Sequence, residues 1–166
     1  AKGNAILKKG NKTIKAEVIE YDEISEKLTT TGNTNIDLEN TRLTGSKLTY
    51  KLSDGTGQID DATFNFKPDM KQEKSSIKNG SLITQRTYDY RGSAKTIFLE
   101  GEDKKRLERS KITTCEADSD DWYLKSGNME VNTKTDRVKA SNTVVEFKGL
   151  PVLYTPYINF SLNQNR

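Results

Sequence analysis

The sequence predicts an all-β protein, a bent and twisted β-jelly roll of about eleven strands built from repeats and open at both ends. Three observations predict it. Val, Ile, Thr, Tyr and Phe alternate with polar residues, the period-two signature of strands that give one face to water. The same strand pattern recurs along the chain. Clusters of Asp, Gly, Ser, Thr and Asn punctuate it at short intervals, and no segment holds a convincing helical period.

The repeat governs how each element is read. "IKAEVIEYDEISEKLTTTGN" (14–33) aligns without a gap on "LKSGNMEVNTKTDRVKASNT" (124–143), an offset of 110 residues. Ile14 then matches Leu124, Ala16 matches Ser126, Ile19 matches Met129, Tyr21 matches Val131 and Leu28 matches Val138. A third copy lies 29 residues after the first, in Leu43, Gly45, Leu48 and Tyr50. A weaker fourth keeps Ala94, Ile97 and Leu99 but has Gly92 where the others carry an aliphatic residue. In each copy a small residue (Ala16, Gly45, Ala94, Ser126) follows an apolar one by two places, and the next apolar residues come three and five places later. The step of three would turn the apolar set to the wrong face. A β-bulge or sharp bend at the small residue restores the phase. Each copy is therefore expected as a bent strand, a turn and a return strand, with the turns in "YDEISEKL", "LSDGTGQI" and "NTKTDRV".

The remaining segments fall between these copies. Residues 67–81, "KPDMKQEKSSIKNGS", are polar and aperiodic and are expected as a loop or hairpin excursion. Lys104, Lys105, Arg106, Arg109 and Lys111 crowd together and read as a solvated edge strand or turn rather than an anion site. Cys115 sits where a strand stops, in the polar run Thr113-Thr114-Cys115-Glu116-Ala117-Asp118, which does not look buried. Pro151 and Pro156 interrupt "GLPVLYTPYINF" and fix the backbone there.

Composition narrows the function. The chain of 166 residues is one domain by length, with 32% hydrophobic and 31% charged residues and a mean hydropathy of −0.83. No apolar run reaches the roughly 20 residues of a membrane helix, and a signal peptide is either absent or already removed. The net charge of +3, with both signs interspersed, is too weak to imply nucleic acid. Without histidine there is no Ser-His-Asp or Cys-His arrangement and no metal site of the commonest kind. "EADSDD" (116–121) has calcium-type oxygens but lacks the spacing and distal Glu of a calcium loop, so it reads as a turn. The carboxylates sit in turns and on the polar phase of strands, without the aromatic platforms of a glycosidase. The chain reads as a non-enzyme without cofactor. A single cysteine pairs outside the chain in a secreted protein or is a buried small side chain in a cytosolic one; its polar surroundings favour the first.

Two stretches resemble a known family. Ala16, Tyr21, Asp22, Leu28, Gly32 and Asn33 fit the OstA-type repeat, which is shared with the soluble bridge protein LptA. More specifically, "ITTCEADSDDWYLKSGNMEV", followed by the Gly149 to Tyr157 segment, is similar to the end of the periplasmic domain of LptD-type lipopolysaccharide (LPS)-assembly outer-membrane proteins, just before their barrel. The likeness is loose over 1–110 and close over 111–166. The chain departs from the family in lacking a second N-terminal cysteine and any barrel after Arg166, as a piece of a longer protein would.

The resemblance implies a domain over 1–148 at the periplasmic face of the Gram-negative outer membrane and a Pro-containing connector over 149–166 that leaves the sheet toward a barrel. It implies that LPS arrives from an LptA-type bridge and that its acyl chains follow a hydrophobic groove toward the barrel and its plug lipoprotein LptE. Ile14, Ile19, Tyr21, Leu48, Tyr50, Ile97, Leu99, Leu124, Met129, Val131 and Val138 would line that groove, with Pro156 and Tyr157 shaping its exit; the alternative is a dry core made by the inward residues. The edge strand Ala5, Ile6, Leu7, Lys8 and Lys9 would receive the bridge by β-strand augmentation. Cys115 would be half of an interdomain disulfide. A soluble LptA-like LPS-binding module is the alternative reading.

Overall fold

Short turns between strands of matched length leave each strand its sequence neighbour as the nearest partner, so the chain folds as a meander of hairpins. The computed structural model describes residues 2–10, 12–38, 41–66, 76–78, 81–83, 89–116, 119 and 121–161. The strands are β1 (Lys2–Lys9), β2 (Lys12–Asp22), β3 (Lys27–Leu38), β4 (Thr41–Lys51), β5 (Thr56–Phe66), β6 (Ser76–Lys78), β7 (Ser81–Ile83), β8 (Tyr90–Glu100), β9 (Lys104–Thr113), β10 (Trp122–Asn132), β11 (Arg137–Phe147) and β12 (Leu150–Ser161). Ten of them form one antiparallel sheet in the order β1-β2-β3-β4-β5-β8-β9-β10-β11-β12, and β6 pairs only with β7. No helix occurs among the described residues. The sheet does not close, and β1 and β12 are its two borders. Of the expected 67–81 excursion, only β6 and the start of β7 are described.

A crease runs across the middle of this sheet and turns it into two facing walls. Small inward residues mark it in register: Ala5 opposite Ala16, Thr34 opposite Gly45, and Ala62, Ala94, Ser110, Ser126 and Thr143 in one continuous row. Larger side chains have no room where the walls meet. A Cβ on Gly45 would lie 2.5 Å from Ile59 Cγ2 and 2.8 Å from the Asp60 carbonyl oxygen. The step in backbone conformation is not on these small residues, as the sequence pattern suggested. It falls on the adjoining strands, at Asn4, Gly32, Asp61, Arg109 and Asn142, all left-handed with φ between 47° and 81°. Between Thr31 and Thr34, β3 spends one residue more than β4 spends between Lys47 and Gly45. The surplus residue is what bends the ribbon. The repeat extends to this level of detail. Gly32 and Asn142, at the 110-residue offset, share the left-handed conformation, and so do the turn residues Glu26 and Asp136.

The inner faces of both walls make one apolar core. Leu28, Leu48, Ile59, Met129 and Val138 are at most 1% exposed. Backbones of strands that are not sheet neighbours stay more than 8 Å apart, so the two walls meet only through side chains. Burial pushes the Lys105 pKa down and the Tyr90 pKa up, with Lys12 adding to the first and Asp136 to the second. Where Gly92 departs from the repeat, Phe64 on the paired strand supplies the missing bulk. A Cβ on Gly92 would be 2.7 Å from the Phe64 ring.

Bending the strands leaves polar groups to satisfy inside. Leu48 N donates to Thr30 Oγ1 at 3.0 Å, Thr30 and Thr34 hydroxyls meet at 2.6 Å, and Thr34 donates to the Gly32 carbonyl at 2.9 Å. Since the Thr34 proton is committed to Gly32, Thr30 donates to Thr34, and every group in the chain of bonds is used. Ser126 and Thr143 hydroxyls pair at 3.1 Å, whereas buried Ser110 Oγ has no partner among the described residues.

The expected connector is corrected by the last strand. Leu150–Ser161 does not leave the sheet but pairs along β11 from Arg137↔Ser161 to Phe147↔Leu150. The two prolines are tolerated because this is a border, where half of the backbone amides have no ladder partner to lose. A register shift opposite Val145 and Glu146 adjoins Pro151, and Pro156 falls opposite the left-handed Asn142 at the crease.

Candidate functional site

The inner face is the one surface where the repeat, the crease and the core coincide. In β2 the side chains of Ile14, Ala16, Ile19 and Tyr21 alternate inward, and the same phase recurs at 43, 45, 48 and 50 in β4, at 92, 94, 97 and 99 in β8, and at 124, 126, 129 and 131 in β10. The register joins these into rows. One runs Tyr21, Leu28, Tyr50, Gly57, Leu99, Lys105, Val131, Val138 and Phe160 along one wall. A second runs Leu7, Ile14, Ile36, Leu43, Phe64, Gly92, Ile112 and Leu124 along the other.

Of the residues expected to face inward, Ile19, Leu48, Ile97, Met129 and Val138 are buried in the core, and Ile14, Tyr50, Leu99, Leu124 and Val131 pack partly buried against it. Tyr21 is 51% exposed at the end of β2, Pro156 is exposed, and Tyr157 is 56% exposed on the border strand. These three do not join the core. Between the walls the central residues lie in mutual contact, so the interior is closed by its own side chains. Leu7, named from the sequence only for the border strand, belongs to the same face, as do Ile36, Phe64, Ile112, Ile158 and Phe160, which were not singled out from the sequence. Ile158 and Phe160 were missed because their segment was read as leaving the sheet; their spacing of two was the available signal.

The basic cluster divides by face. β9 is neither an edge nor a turn, since it is paired on both sides, with β8 and β10. Outward Lys104 lies 2.8 Å from Glu100 and 3.6 Å from Glu130, and outward Arg106 lies 3.1 Å from Glu100 and 2.7 Å from Glu108 while covering the Phe98 ring. Lys104, with Arg106, holds the Glu100 carboxyl below the usual range. Lys105 points inward, among Leu99 and Val131. A cavity of about 370 Å³ opens on the outer side of the sheet beside Thr44, Thr63, Ser93 and Lys111, with Lys111 Nζ 3.4 Å above the Tyr123 ring.

Cys115 is a free, partly exposed thiol in the segment after β9. Arg91 fixes that segment, donating from Nε to the Cys115 carbonyl at 2.8 Å and from one terminal nitrogen to the Glu116 and Ser119 carbonyls at 2.6 and 3.3 Å. The Thr113 hydroxyl, helped by backbone amides at Trp122 and Asp121, lowers the thiol pKa. Nothing found supports the disulfide implied for it. Asp118 and Asp120 of the acidic turn lie outside the described residues.

β1 is one border of the sheet. Ala5 and Leu7 face the core, Ile6 is 58% exposed, and β1 pairs only with β2. At the opposite border, Leu150, Val152, Leu153, Tyr154 and Tyr157 are exposed together.

Comparison with known proteins places these features. No family model matches the chain. The chain is 28% identical over 164 residues to the LPS-assembly protein LptD of Nitrosomonas europaea, covering 99% of this chain and 20% of that protein. It is 30% identical over 164 residues to LptD of Nitrosospira multiformis, covering 99% and 16%, and 30% identical over 151 residues to LptD of Methylococcus capsulatus, covering 91% and 14%. The chain thus spans about a fifth or less of the length of these curated relatives. Among solved structures, LptH of Pseudomonas aeruginosa, described as the LptA-homologous periplasmic component of a lipopolysaccharide transport device, matches with a TM-score of 0.56 at 15% identity, over 78% of this chain and 81% of that one. The fold is that of the LptA-type β-jelly roll, and the sequence is similar, throughout, to one segment of LptD.

Proposed function

We propose that this chain is a periplasmic LPS-transport module, the part of an outer-membrane LPS translocon that accepts lipid from an LptA-type bridge and passes its acyl chains between the two walls toward a β-barrel. Similarity to LPS-assembly proteins along the whole chain carries the reading. The physical chemistry supports it. Hiding an acyl chain from water is worth about 0.8 kcal/mol per methylene, so a lipid with several chains needs an apolar path at every step. The inner rows provide one, and because side-chain packing alone holds the walls together, parting them breaks no hydrogen-bond ladder.

The bridge adds its strand at the free border of β1, along Ala5, Ile6, Leu7, Lys8 and Lys9. In the full-length protein the barrel and its plug lipoprotein LptE take the lipid onward, on the periplasmic face of the outer membrane. The fold of LptH keeps a second reading in play, a free-standing bridge module. The relatives' match through β12 favours the first.

Photo-crosslinking tests the proposal. A photoreactive residue at Ile19, Leu48 or Met129 should form LPS adducts, and one at outward Lys15 or Glu130 should not. Adducts confined to Lys15 and Glu130 would show that lipid does not travel inside.

A further inference from the structure

Small inward residues line the crease, and across five adjacent strands they form one unbroken line of Ala62, Ala94, Ser110, Ser126 and Thr143. Paired strands lie about 4.8 Å apart, so this line runs for roughly 19 Å along the floor of the space between the walls. Its short side chains make it the track on which a guest meets least bulk. The left-handed step at Arg109 puts Ser110 on this floor, three places after inward Leu107.

One polar atom on that floor is left over. Ser110 is 3% exposed, and among the described residues its Oγ is the one buried side-chain oxygen or nitrogen without a hydrogen-bond partner. Its neighbour Ala94 has no side-chain acceptor to offer, and its neighbour Ser126 is engaged with the Thr143 hydroxyl at 3.1 Å. The buried hydroxyls of Thr30 and Thr34 are bonded to each other and to the backbone. A buried hydroxyl without a partner is costly, where alanine of nearly the same size would leave nothing unsatisfied. The closed interior is therefore one hydrogen-bond partner short, at the depth that a tail between the walls reaches.

We propose that Ser110 is a hydrogen-bonding subsite for an oxygen carried on an acyl chain, so that the interior favours chains bearing a hydroxyl or an ester over plain hydrocarbon ones. When the walls part around such a chain lying along the crease, the Ser110 hydroxyl donates to that oxygen and the penalty of the empty state is removed. A plain chain leaves the hydroxyl orphaned. Selectivity of this kind comes from the unpaired group of the site rather than from its shape. The proposal rests on the transport reading for its guest, but its test separates the two.

The full chain is loaded with cis-parinarate, an acyl chain whose fluorescence rises in an apolar site, and the probe is displaced with myristate, 3-hydroxymyristate or 12-hydroxymyristate. Each titration is repeated on Ser110→Ala and on the outward control Ser93→Ala. The subsite predicts that the affinity of at least one hydroxylated chain, relative to myristate, drops about threefold to tenfold in Ser110→Ala, the loss of one hydrogen bond. Myristate itself should bind Ser110→Ala at least as well as wild type, and Ser93→Ala should behave as wild type. The position of the favoured hydroxyl then tells which end of the chain lies over β9. If the relative affinities were the same in wild type and Ser110→Ala, the subsite would be overturned and the lipid path would survive. If cis-parinarate found no place in the chain, the transport reading would fall and the subsite with it. Thermal melting gives an independent check. Ser110→Ala should melt no lower than wild type, because the hydroxyl it removes has no partner in the empty protein. A lower melting temperature would mean that the hydroxyl is already satisfied, and would overturn the subsite.

Discussion

Arg109 carries a backbone conformation that suits glycine. Its φ of 47° is left-handed, its side chain is exposed, and it stands at the crease position that Gly32 fills in the first copy of the repeat. Asp61 and Asn142 at the equivalent places are residue types that tolerate this region, whereas a long side chain costs about 1–2 kcal/mol there. Arg109→Gly should therefore stabilise the protein by up to about 1 kcal/mol, after the larger backbone entropy of glycine is subtracted. Urea unfolding reads the outcome, and an unchanged or lower midpoint would refute it. Single residues were the scale least legible in the sequence. The side-chain types of Asp61 and Asn142 permitted the bend without announcing it, and Lys105 looked like one more solvated lysine until its register with Leu99 and Val131 was known.

At the scale of elements the sequence was much more informative. The matched pairs Ile19 with Met129 and Leu28 with Val138 occupy the same structural positions, on the same face, in hairpins of the same shape. Alternation reveals which residues share a face because a one-residue slip would expose the whole set. It did not reveal where the backbone steps, since the surplus residue lies on the neighbouring strand and is polar. Proline misled the reading of β12: a ladder-breaking residue in an interior strand is an ordinary neighbour on a border one, and border status is a property of the whole sheet. The crease itself makes a prediction here. Gly45→Ala puts a methyl group against Ile59 and the Asp60 carbonyl and should cost about 1–3 kcal/mol in unfolding free energy. A loss below a few tenths would mean that the walls can shift to admit it.

For the whole molecule, the two borders differ. β1 is short, lysine-bearing and free of proline, and β12 is longer and carries Pro151, Pro156 and a register shift. Self-pairing of β12 is thereby discouraged. Replacing both prolines with threonine should increase concentration-dependent self-association in sedimentation relative to the unsubstituted chain, and an unchanged profile would contradict this. The walls themselves meet through side chains, most of them apolar, and they already touch. An interior collapsed in this way is dry before any guest arrives. A fatty tail that slides in has no water to evict, and it exchanges one oily neighbour for another. Each tail parts side chains from one another and gives them its own contacts in return, so what entry costs is set by how easily the walls separate.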